Sequence, residues 1–141
     1  INIMSGTSEQ LRFTFRDTNT KEPLTMKGVA FTFFDLDQGH WYTSIEHLIA
    51  GGFGSAHLTN QTEIRQVKLD DGRTVFNATQ YGNGEDNPKD PMNMTAQQAN
   101  RAVSLMYHDV TQIDISIGAT AGLTPRFFTF VGRPAILCRM M

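Results

Sequence analysis

Apolar and polar residues alternate through most of this chain. Leu11, Phe13 and Phe15 are separated by Arg12 and Thr14, the pattern of a strand with one buried face. Gly28 to Leu36 predicts a second strand, with Phe31 and Phe33 on one face and Thr32 and Phe34 on the other. Trp41 to Ile49 predicts a third, although Ser44 to Ala50 also fits a helical turn, and Gly51 to Gly54 reads as a connector or bulge. Thr62 to Leu69 and Arg73 to Thr79 flank Asp70-Asp71-Gly72, and Asp-Gly between two such runs is a strong hairpin signal. In the second arm Phe76 and Ala78 share a face while Val75, Asn77 and Thr79 share the other, so Phe76 should point to the core. Ala102 to Tyr107 looks extended, and Ile113, Ile115 and Ile117 alternate with Asp114, Ser116 and Gly118. Arg126 to Val131 and Ala135 to Cys138 read as the last strands, separated by Gly132-Arg133-Pro134.

One segment departs from this period. Thr95-Ala96-Gln97-Gln98 fits a capping box, which predicts a short helix over 95–101. Short strands, regular turns and one brief helix predict an all-β, antiparallel β-sandwich of jelly-roll-like form, a single domain over residues 1–141.

Composition agrees with a β-protein: 12 Gly, 10 Phe and 18% charged residues. The net charge is −2 with both signs interspersed, so no basic stripe exists to hold a nucleic acid. No apolar run approaches the ~20 residues of a membrane-spanning helix. Asn60-Gln61-Thr62, Asn77-Ala78-Thr79 and Asn93-Met94-Thr95 are acceptor sites for N-linked glycan, which points to an extracellular, secreted protein at the cell surface. The chain opens at Ile1 with no initiator Met, as expected of a processed or excised segment. The single cysteine, Cys138, is expected either to be buried as a small hydrophobe or to pair with another molecule.

Candidate chemistry is sparse. Asp35 and Asp37 end an apolar strand two residues apart, so both carboxylates face one side. The loop Asn83 to Asp90 adds further oxygen donors, and Asp35, Asp37, Asp86, Asn87 and Asp90 form the candidate set for a structural calcium. Against it stand solvated turn carboxylates with Asx-turns, which need no metal. His40, His47, His57 and His108 show no metal-binding spacing. Ser44, Ser55 and Ser104 lack a nucleophile-elbow context, so no catalytic residue is assigned. Trp41, Tyr42 and Tyr81 are the candidates for stacking on sugar rings, although a lone Trp is more often part of a core.

Phe33-Phe34-Asp35-Leu36-Asp37, the loop Gly84 to Pro91, Met94-Thr95-Ala96-Gln97-Gln98-Ala99-Asn100-Arg101-Ala102-Val103 and the strand Pro125 to Gly132 follow one another along the chain. In this order they resemble a set of extracellular modules found in algal and protist secreted proteins. The resemblance runs from about Ile1 to Leu137 and implies a surface or matrix component without catalytic residues. Pro125-Arg126 stands where those modules carry Gly-Arg, and they begin further upstream. The resemblance therefore implies that this chain lacks an upstream strand, which a partner would supply.

Two functions are expected. The first is a non-catalytic, glycosylated structural subunit of an extracellular filament or appendage, a homo-oligomer of like subunits with Cys138, Met140 and Met141 as contact residues. The second is a secreted carbohydrate-binding module, with Trp41, Tyr42 and Tyr81 as its platform and Asp86 and Asn87 bonding hydroxyls.

Overall fold

The computed structural model describes residues 1–134. Cys138, Met140, Met141 and the strand expected over Ala135 to Cys138 lie outside the described residues. The strands are β1 (Asn2–Ile3), β2 (Ser8–Thr14), β3 (Met26–Phe34), β4 (Glu46–Ala50), β5 (Ser55–His57), β6 (Ile64–Lys68), β7 (Thr74–Ala78), β8 (Val103–Val110), β9 (Gln112–Ala119), β10 (Arg126–Phe127) and β11 (Thr129–Pro134). Among the described residues there is one α-helix, α1 (Ala96–Asn100), which precedes β8.

A four-stranded sheet runs β11-β3-β8-β5 and a five-stranded sheet runs β2-β9-β4-β7-β6, with β1 and β10 as a separate pair. Every strand pair is antiparallel. From β2 to β6 the chain changes sheet at every connection, and it does so again from β7 to β8 and from β8 to β9. The fold is the expected all-β sandwich with one short helix.

Alternation decides what lies between the sheets. Val29, Phe31 and Phe33 of β3 lie opposite Tyr107, Leu105 and Val103 of β8. Leu48, Phe76, Ile113, Ile115 and Ile117 come from the other sheet, and all belong to one buried cluster. Phe31 and Phe33 of this cluster form an aromatic group with the partly buried Phe13 and Phe130 packed against it, with ring centroids 4.7 Å apart for Phe13 and Phe31. Phe34, on the opposite face with Thr32, is also buried, so both faces of β3 are covered at its end.

Three expectations are corrected. The strand expected from Trp41 begins only at Glu46, because His40–Tyr42 forms a single 3₁₀ turn. The expected strand Arg126 to Val131 is broken at Phe128, whose side chain is buried; β10 pairs with β1, and β11 turns away to pair with β3. Gly132-Arg133-Pro134, expected to be a break, continues β11 along β3. The strands β1 and β5 carry no usable pattern at two and three residues.

Candidate functional site

Strand β3 ends where Asp35 takes a left-handed backbone conformation, φ 59°. The chain then runs Leu36 into the core and sends Asp35 and Asp37 to the same side, as their spacing predicts. The next segment is a tight loop. Gly39 N–H donates to Thr43 O at 2.8 Å, and the Thr43 hydroxyl donates to His40 O at 2.6 Å. Closing this loop puts Trp41, Tyr42 and Ser44 all at positive φ, 58°, 58° and 50°. Each such L-residue costs about 1–2 kcal/mol. Bulky side chains in this region are outliers, and such strain concentrates at functional positions.

The strained loop holds Trp41 away from the core, 90% exposed. It forms one rim of a cavity of about 770 Å³ at one end of the sandwich. Tyr81 lies beside it, fixed by the parallel bridge between Gln38 and Tyr81 and stacked on His40 at 4.0 Å. The far wall is the segment from Gly122 to Phe127, with Leu123 and Phe127 exposed. Ser44 ties the two walls together: its N–H donates to Ala121 O at 2.9 Å, and its carbonyl accepts from Arg126 Nε at 3.2 Å.

The floor is ionic. Asp35, Asp37, Glu46 and Arg126 line it. The Asp37 N–H donates to Glu46 Oε2 at 3.2 Å, while Arg126 stands 3.5 Å from Asp37 Oδ1 and 3.9 Å from Glu46 Oε1. Burial pushes the carboxyls up: Glu46 to about 9, with Asp37 adding to the effect; Asp35 to about 7, again with Asp37; and Asp37 to about 6 against the pull of Arg126. Gly82 closes over Asp37, and a Cβ there would overlap the Asp37 carboxylate.

Behind the floor stands Asp86. The buried Arg101 side chain donates to Asp86 Oδ2 and, at 2.6 Å, to Glu63 Oε2. Gln98 of α1 donates its side-chain amide to the Asp86 carbonyl at 3.0 Å. The capping box of Thr95 and Gln98 is formed as predicted, so the helix serves as a clamp on the Asp86 loop. One oxygen each from Asp35, Asp37 and Asp86 lies within 4.8 Å of the other two.

The remaining expected residues divide. Asn87 lines the cavity. Asp90 does not join the carboxylates; its Oδ1 accepts from Met92 N–H at 2.9 Å, the Asx-turn that needs no metal. Tyr42 is exposed and stands outside the cavity lining. Asn60 and Asn93 are exposed, and Asn77 is half-buried on the outer face between His47 and Arg65. None of these three sequon asparagines lines the cavity.

Sequence reasoning missed Glu46, Arg101 and Arg126. Glu46 had a signal: it shares the inward face of β4 with Leu48 and Ala50, and a carboxylate in that series demands a buried role. Arg101 and Arg126 had none, because their partners lie 15 to 89 positions away in sequence and are set by topology alone. Comparison with protein-family models, curated proteins and solved structures finds no match.

Proposed function

We propose that this chain is a non-catalytic carbohydrate-binding module that works outside the cell, with the end cavity as its binding site. The observation that carries this reading is Trp41, held 90% exposed by a strained turn on the lining of a cavity that also carries Asp35, Asp37 and Glu46. A sugar ring offers an apolar C–H face to an indole and hydroxyls to acceptors beneath it. Tyr81 extends the apolar wall, and Asn83 and Asn87 supply amide donors at the mouth.

The carboxylates argue for binding over hydrolysis. A glycosidase pair flanks the scissile bond from two sides of the sugar. Asp35, Asp37 and Asp86 instead converge on one point. The three sequons support export, and glycans on Asn60, Asn77 and Asn93 would leave the cavity open. The structural-subunit reading rests on those sequons and on Cys138, Met140 and Met141; the described surface adds no argument for it.

Trp41 is the sole tryptophan, so its emission reports on the cavity directly. Titration with a panel of neutral oligosaccharides, preceded by a glycan array, should change that emission saturably. Trp41→Ala should weaken binding about tenfold or more, the loss expected for an aromatic face buried by ligand. An array without a hit, or binding unchanged by Trp41→Ala, would reject the reading.

A further inference from the structure

The three convergent aspartates are not explained by packing. Asp35 is 8% exposed and lines the cavity, yet no described residue donates a hydrogen bond to its carboxylate. Glu46, outside the convergent set, is 2% exposed, and its Oε1 has only Arg126 Nε at 3.9 Å, too long for a hydrogen bond. Asp86 Oδ1 is wholly buried and also lacks a partner. Of these oxygens Asp86 Oδ1 is the one cut off from solvent, and leaving an acceptor so buried without a donor costs about 1–3 kcal/mol, more when it is charged.

We propose that Asp35, Asp37 and Asp86 hold a calcium ion at the cavity floor, and that the ion is the attachment point for ligand hydroxyls. Spacing supports the first half. Three oxygens mutually within 4.8 Å surround a point at a distance that small side-chain rotations bring to the 2.3–2.6 Å of Ca²⁺–oxygen bonds. The donors are all hard oxygens; His40 is stacked on Tyr81 at the rim and does not join the set. Asp86 contributes one carboxylate oxygen to the set; its Oδ1 has no partner, and Arg101 donates to Oδ2, the outer-sphere support that orients a ligating carboxylate. Asp35 and Asp37 offer theirs from the cavity side. Ca²⁺ takes six to eight oxygens, so positions remain toward the cavity for water or for a pair of sugar hydroxyls beneath Trp41.

The second half rests on the carbohydrate-binding reading; the ion site does not. The full chain, stripped with EDTA, is titrated with Ca²⁺ and with Mg²⁺ by calorimetry and by thermal melting, and with Tb³⁺ using Trp41 as the sensitiser. Ca²⁺ should bind saturably by about 1 mM, in the range of extracellular modules, and should raise the melting temperature more than Mg²⁺ does. Asp35→Asn and Asp86→Asn should each weaken Ca²⁺ at least tenfold, with folding verified by circular dichroism. Asp114→Asn, on the outer face beside Arg12, should not. No saturable Ca²⁺ effect up to about 10 mM, or an effect that survives both site variants, overturns the ion site. Sugar titrations are then run in Ca²⁺ and in EDTA. Binding lost in EDTA supports hydroxyl attachment, and binding indifferent to EDTA overturns it. Calcium binding without any sugar ligand would sink the carbohydrate reading and leave the ion site standing.

Discussion

The hydroxyl of Tyr107 lies inside the sandwich without a hydrogen-bond partner, and burial pushes its ionisation up to about 12. The ring is well placed, edge-on to Phe53 at 6.3 Å, so the cost falls on one oxygen atom. Tyr107→Phe removes that oxygen and keeps the ring. It should stabilise the protein by about 1 kcal/mol, seen as a rise of roughly 3–5 °C in melting temperature. A lowered melting temperature would show that the hydroxyl has a partner, such as a buried water. At this scale the sequence was partly legible. Asp35 and Asp37 were assignable to one side from their spacing, although a left-handed turn at Asp35, beyond the end of β3, and not strand alternation brings them there. The exposure of Trp41 was not, since the turn that expels it depends on Ser44 reaching Ala121, far along the chain.

Elements transmit residue effects across the fold, and α1 does so most directly. Five residues make no stable helix alone, so the capping box and the Gln98–Asp86 contact hold it in place. Thr95→Ala should cost about 1 kcal/mol in stability. If α1 clamps Asp86, the same change should also weaken Ca²⁺ binding, and Thr95→Ser should restore both; unchanged affinity in the alanine variant would separate the helix from the site. A second element-scale device lies on the outer face of the five-stranded sheet. Ser8, Gly118, His47, Asn77 and Arg65 form a row across the strands, and His47 lies over Gly118. A Cβ at Gly118 would overlap that imidazole. Gly118→Ala should therefore destabilise by about 1–3 kcal/mol, and His47→Ala in the same chain should recover part of the loss, the remainder resting on Ser8 Cβ at 2.9 Å. The hairpin β6–β7 and helix α1 were legible because a turn and a cap are written in adjacent residues. Strands β1 and β5 were not, because a strand of two or three residues exists only through its partner.

For the whole molecule, the buried acids set the response to pH once metal ions are removed. Asp35 and Glu46 have folded values of about 7 and 9, against roughly 4 for carboxyls in an unfolded chain. Between those limits the folded state binds more protons than the unfolded state, so stability falls as pH rises. His47 acts in the opposite sense: burial lowers its value, and its contribution is lost as pH drops below about 6.5. The Arg73 backbone N–H and side chain lower Asp71, and the Arg12 side-chain hydrogen bond lowers Asp114; both acids are exposed and their effect is confined to pH below about 4. Above pH about 6.5 the buried acids therefore act alone. In EDTA the melting temperature should decline steadily from pH about 6.5 to 9, and Glu46→Gln should flatten the upper part of that decline. The direction is set by burial at one end of the sandwich, where the loops from Asp35 to Ser44, Tyr81 to Asn87 and Gly122 to Phe127 meet. A flat profile in EDTA would mean that water reaches Asp35 and Glu46 freely.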